Sequence, residues 1–154
     1  MTEQDMRQLL EETLELQKKN GAYEKSPPPP AQMRHPATPV DLAALERHVR
    51  AHGGRLPPSF VKFLQITDGI ENYMGESELS LRSARQIVDM RSDDEDWSDL
   101  APLNEFVIAS GNTSAFVAFD HSHPDQNGEL PVVWVDGQGD RTEFSDFEDF
   151  LRWN

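Results

Sequence analysis

The segment Asp120-His121-Ser122-His123-Pro124-Asp125-Gln126-Asn127-Gly128-Glu129 gathers imidazoles and carboxylates in one short stretch. Both groups are ligands for divalent cations, so metal-assisted chemistry is the first possibility to weigh. A calcium loop does not fit. Aligning Asp125 and Asn127-Gly128 with the EF-hand pattern puts His123 at the first ligand position and Trp134 at the last. A zinc site would start from His121 and His123, but no third ligand stands at a fixed spacing from them. The plainer reading is a polar connection between two strands, and no metal ligand is assigned. Nucleophilic catalysis has no better footing. Ser110, Ser114 and Ser122 occur near the histidines, but no Gly-x-Ser-x-Gly elbow is present. No Gly-x-x-x-x-Gly-Lys phosphate loop exists either. A metal-dependent enzyme using His121 and His123 stays as the alternative from a different class.

Binding chemistry is better represented. Ser92 to Leu100 (SDDEDWSDL) holds five acids, one tryptophan and no base. Tryptophan is enriched at interface hot spots and offers a large contact for little entropy. Asp93, Asp94, Glu95, Asp96, Trp97 and Asp99 are therefore candidate partner-binding residues. Glu71 and Tyr73, with Glu76 and Glu78, lie in the preceding segment, read as a loop that extends the same acidic surface. The competing reading has Trp97 anchoring the loop onto its own core while the acids stay in water.

Total charge points the same way. The chain has 154 residues, with 14 Lys+Arg against 28 Asp+Glu and a formal net charge of -14. A phosphate backbone is bound by clustered Lys and Arg, so nucleic acid is an unsuitable partner. A basic protein is the natural complement, because opposite potentials speed encounter and reject wrong partners. Acidic surfaces also simply keep proteins in solution. With no cysteine, disulfides, zinc-thiolate sites and thiol nucleophiles are impossible. No apolar run reaches the roughly 20 residues needed to cross a bilayer. The acidic start Met1-Thr2-Glu3-Gln4-Asp5 lacks the regions of a signal peptide. The expectation is a soluble, cytoplasmic protein with no membrane partner.

The elements that must position these residues follow from periodicity and punctuation. Thr2 to Asn20 reads as a helix with an apolar stripe of Met6, Leu9, Leu10, Thr13, Leu14 and Gln17, expected to dock on its own domain. Acids early and Lys18-Lys19 late suit the helix dipole. Pro27 to Pro30 favours an extended spacer. The division expected is a helix over 1–22, a Pro-rich linker over 23–35 and a domain over 36–154. Thr38 or Asp41 caps a second helix with Leu42, Leu45 and Val49 on its apolar face, ended by His52-Gly53-Gly54. Leu56-Pro57-Pro58 opens a third, with Phe60, Phe63, Leu64 and Thr67 on one face and Asp68-Gly69 as the stop.

Leu79-Ser80-Leu81 is a short strand before a helix capped at Ser83. Phe106 to Ala109, Ala115 to Phe119 and Pro131 to Val135 read as strands joined by tight turns, an antiparallel meander continued at Arg141 to Phe144. Ser145 with Glu148 reads as a capping box for a last helix burying Phe147, Phe150 and Leu151. The fold class expected is α+β, a mainly antiparallel twisted sheet packed with helices, plus the N-terminal helix.

Taken in order, these motifs resemble the SUKH superfamily, the Smi/Knr-type domain. The matching residues are Leu45-Glu46, Leu56-Pro57, Phe60, Phe63-Leu64 and Asp68-Gly69, then Leu79-Ser80-Leu81 with Ser83. Phe106 to Gly111, Phe119-Asp120, Pro131-Val132, and Ser145, Phe147, Phe150 and Leu151 complete the order over residues 36 to 153. Pro58 departs from the acidic residue common there, and the N-terminal helix lies outside the pattern. The resemblance implies a non-enzymatic domain without a cofactor that acts by binding proteins. Bacterial members look mainly like immunity proteins that bind and block polymorphic or contact-dependent toxins, many of them nucleases. Fungal members look like regulatory and scaffold proteins of cell-wall signalling. The function expected is a cytoplasmic immunity protein that occludes the active face of a cognate basic toxin domain, a nuclease being one kind. A regulatory or scaffold module is the alternative.

Overall fold

Helix α1 spans Glu3–Gly21 and starts with a reciprocal cap, in which Thr2 Oγ1 accepts the Asp5 amide and the Asp5 carboxylate accepts the Thr2 amide. The computed structural model describes residues 2–21, 31–74, 79–93, 105–111 and 114–153. Within α1, Met6, Leu9, Leu10 and Thr13 are buried. They face α3 (Pro58–Ile66) and the last helix, α5 (Phe147–Arg152), so the first helix does dock on the rest of the chain. Thr38 caps α2 (Pro39–Ala51), accepting the Asp41 amide at 3.1 Å. Leu45 and Val49 point inward, and α2 packs beside α4 (Ala84–Asp93). Ser83 and Gln86 form a capping box at the start of α4.

Two residues hold the helical layer to the sheet. Asp68 accepts the Ala84 amide at 2.8 Å and so adds a second cap to α4. Gly69 follows at φ +88°, and a Cβ there would lie 2.5 Å from the Leu81 carbonyl oxygen. The Asp-Gly stop of α3 is therefore also the point where backbone passes closest to backbone.

The sheet contains seven antiparallel strands in sequence order among the described residues. They are β1 (Gln32–Met33), β2 (Ile70–Met74), β3 (Leu79–Leu81), β4 (Glu105–Ser110), β5 (Phe116–Asp120), β6 (Val132–Val135) and β7 (Arg141–Phe144). The meander expected over the second half is present, and it extends over the first half as well. β1 lies inside the stretch read as a linker and pairs with β2 at the edge. β2 replaces the expected loop. Its ladder with β3 shifts register, and Asn72 sits at φ +56°. This irregularity puts the inward residues, Ile70 and Tyr73, three apart instead of two, which hides the strand from an alternation test. The last helix also differs in detail. Its cap is Asp146, which accepts the Asp149 amide at 2.8 Å, while the Ser145 amide donates to Asp149. Asp caps as well as Ser, and the box is displaced by one residue.

Cross-strand register sorts the strands into two faces. Phe106, Phe119, Val132 and Phe144 form one row, and they join Phe60, Phe63, Phe147 and Phe150 in the main core. Phe60, Phe119 and Phe147 meet edge to face or tilted at 5.1 to 5.7 Å. The opposite face carries a second buried cluster, Val107, Phe116, Ala118, Val133 and Val135. Arg141 of β7 donates from Nη2 to Glu105 of β4 over this face. Neighbouring strands are about 4.8 Å apart, so three strand steps in a flat sheet would separate β4 and β7 by about 14 Å. The contact therefore requires the β4–β7 meander to curl, with the second cluster on its concave side.

Candidate protein-binding surface

Among the sequence-predicted binding residues, Glu71 is on β2, its side chain 71% exposed and 4.0 Å from the Arg34 guanidinium. Tyr73, on the same strand, is placed in the core. It is 2% exposed, its ring 6.0 Å from that of Phe150. Its hydroxyl donates toward the Leu151 carbonyl at 3.5 Å. Tyr73 therefore supports β2 from beneath, while Glu71 faces outward. Asp93 is the last residue of α4. Asp94, Glu95, Asp96, Trp97 and Asp99 lie outside the described residues, as do Glu76 and Glu78.

The two histidines of the loop after β5 go different ways. His121 is half-buried, its ring stacked 6.5 Å from Phe106, and it packs against Gly54 at the end of α2. His123 is exposed, its Nδ1 2.7 Å from Ser122 Oγ and 3.6 Å from Asp120 Oδ2. Among the described residues no group of three or more His, Asp or Glu is arranged to hold a metal ion. The loop acids have local tasks instead. Asp120 accepts from the Ser122 amide, and Asp125 from the amides of Asn127 and Glu129. Glu129 reaches the uncapped start of α3, where it accepts from the Ser59 amide at 3.1 Å and the Ser59 hydroxyl at 2.5 Å. A carboxylate at that position complements both the free N–H groups and the dipole of α3.

Sequence reasoning passed over Glu105. Its side chain is 2% exposed and pairs with Arg141 through one oxygen, while Oε2 has no hydrogen-bond partner. Burial pushes its carboxyl above the ordinary range, against the opposing pull of Arg141, and the charges of Asp120 and Glu143 push the same way as burial. The available signal was an acid directly preceding the apolar run Phe106 to Ala109. A second feature has no single-element signature. α1 and α5 leave a groove of about 330 Å³ between them, lined by Asp5, Gln8, Leu9, Glu12, Glu148 and Arg152.

No helix among the described residues is long and apolar enough to cross a membrane. A family model described as SMI1 / KNR4 family (SUKH-1) matches residues 36–153. The chain belongs to that family. The match takes in α2 to α5 and all of β2 to β7, and leaves α1 and β1 outside. No curated protein matches the chain.

Proposed function

We propose that this SUKH-1 family member is an immunity-type protein. It binds a cognate toxin domain and covers its active face, with no catalysis and no cofactor of its own. Membership of the family carries the reading. The net charge of -14 supports a basic toxin as partner, a nuclease being one such class. The polar groups that invite an enzymatic reading have structural employment: Glu129 caps α3, and Asp120 and Asp125 shape their own loop. Neutralisation by occlusion needs only a complementary surface held on a rigid scaffold. Its site of action on this reading is the cytoplasm.

Affinity capture from the native cells, with mass spectrometry, supplies the candidate partner. That partner's toxic domain is then expressed in a test host with and without this chain. Restored growth with the chain present, through a complex that purifies intact, is the expected result. A captured partner that is harmless to the host overturns the immunity reading and favours a regulatory module.

A further inference from the structure

We infer that the free edge of β7 pairs with β7 of a second copy, antiparallel about a two-fold axis through Thr142, joining two sheets into one. The inference goes beyond the immunity reading and does not depend on it. β7 ends the sheet, with β6 as its neighbour among the described residues. Arg141, Thr142 and Glu143 are all exposed. The hairpin turn fixes which backbone groups are free. The Asp136 amide donates to the Asp140 carbonyl at 3.0 Å, and inward and outward groups alternate from there along an antiparallel strand. Thr142 and Phe144 therefore bond to their partners Trp134 and Val132. Arg141 and Glu143 point their N–H and C=O groups away from β6, and such a row is a template for another strand.

The side chains select the occupant and the register. Charged residues ordinarily guard an edge against pairing, but these are self-complementary. An axis through Arg141 sets arginine opposite arginine, and one through Glu143 sets glutamate opposite glutamate. An axis through Thr142 sets Arg141 of each copy opposite Glu143 of the other, so both pairs attract. Those are also the residues whose outward N–H and C=O groups then meet. Arg141 has donors to spare, because Glu105 engages Nη2 and 42% of the arginine side chain stays in solvent. Apolar surface lies alongside. Trp153 is 46% exposed, its ring 5.4 Å from that of Phe144 on β7 and 5.1 Å from that of Trp134 on β6. Aromatic residues are enriched at the centres of interfaces.

A seam of one short strand is a small, transient interface, so the test is sedimentation equilibrium of the full chain from about 5 to 500 µM. Salt at about 0.15 M screens the repulsion between two copies of net charge -14. The expected result is a mass that rises with concentration from 17.5 kDa toward twice that value. Glu143→Lys places a cation opposite Arg141 and should weaken the dimer roughly tenfold. Glu11→Lys, at an exposed position of α1, makes the same change in net charge and should not weaken it. If net charge alone governed association, both variants would tighten the dimer, so the sign of the Glu143→Lys effect decides. The register has its own readout. The chain has no cysteine, and Thr142→Cys would set two thiol-bearing residues opposite each other with Cα atoms about 4.5 Å apart, within disulfide reach. Mild oxidation should cross-link Thr142→Cys, and adding Glu143→Lys should suppress the cross-link. A monomer at every concentration overturns the pairing and leaves a strand of another protein as the occupant of this edge. A dimer indifferent to Glu143→Lys, or one that fails to cross-link at Thr142→Cys, also overturns it.

Discussion

Arg141, the first residue of β7, donates a hydrogen bond to Glu105, the first residue of β4, although β5 and β6 lie between them in the sheet. The pair closes the curl of the meander over Val107, Phe116, Ala118, Val133 and Val135. Its two ends are unequal. Glu105 is buried with Oε2 unpartnered, whereas Arg141 keeps 42% of its side chain in solvent. Removing the exposed partner should therefore cost more than its exposure suggests, because it strands a buried charge. Arg141→Met is expected to lose about 2 kcal/mol, discounted from the 3–5 typical of fully buried pairs. Adding Glu105→Gln should recover part of that loss. Urea unfolding of the two single variants and the double variant gives the coupling, and additive losses would mean that the pair does not act as a unit.

The same carboxyl predicts a pH dependence. Glu105 is raised above its ordinary value, first by burial, so the folded state holds this proton more tightly than the unfolded chain. Its contribution is fully present below the unfolded carboxylate pKa and is lost as pH rises through the folded value. The stability of the native chain minus that of Glu105→Gln should fall as pH rises from about 4 into the mildly acidic range. Unfolding free energies at a series of pH values measure this difference, and a flat difference would contradict the raised carboxyl.

Gly69 leaves the least room for a side chain among Gly53, Gly54, Gly69, Gly128, Gly137 and Gly139. Its φ of +88° disfavours any side chain, and a Cβ would also meet Arg82 C at 2.8 Å and Ser83 N at 2.9 Å, both of them backbone. Neither neighbour can swing aside as a flexible side chain would. Gly69→Ala should cost about 2–4 kcal/mol, combining conformational strain with displacement of the β3–α4 connection. A thermal midpoint within a degree or two of the native chain would show that the connection yields easily.

Helix α3 depends on a residue far away in sequence. Pro57-Pro58 sets its start but offers no side-chain cap, and Glu129 supplies one through Ser59. Glu129→Ala should lose about 1–2 kcal/mol, the range of a strong cap. Ser59→Ala removes only the hydroxyl contact and should lose less. The double variant should fall short of the sum of the two losses, and strict additivity would place the value of Glu129 elsewhere.

This cap also shows what a sequence displays and what it withholds. Local signals were legible. Thr38, Ser83, the Pro57-Pro58 start and the Asp68-Gly69 stop are short-range chemistry, and the strands from β4 to β6 are short apolar runs bounded by turn residues. β2 was not legible, because Asn72 at φ +56° breaks the period that identifies strands. Two-residue β1 exists only because β2 offers it an edge. The surface was harder still. Tyr73 and Glu71 are close in sequence, yet one is core and the other solvent. Glu105 carries meaning only once the curl brings Arg141 to it. The α1–α5 groove needs two helices from opposite ends of the chain. Long-range juxtaposition leaves no periodic trace in sequence.

The acidic segment after α4 makes the remaining prediction. Asp94, Glu95 and Asp96 are consecutive like charges beyond the negative end of a helix, an arrangement that gains nothing from the dipole. If it contributes to partner capture, its action is long-range attraction, which governs the rate of encounter and weakens with salt. Changing all three residues to Lys should slow association with the captured partner by about tenfold or more at low salt, and should flatten the salt dependence. Dissociation should change less, because long-range attraction affects encounter more than residence. Folding stability should shift only by several tenths of a kcal/mol if the segment takes no part in the fold. Stopped-flow association at two ionic strengths, paired with urea unfolding, separates these effects. Unchanged association would place recognition elsewhere on the acidic surface. A large loss of stability would instead mean that the segment is part of the fold.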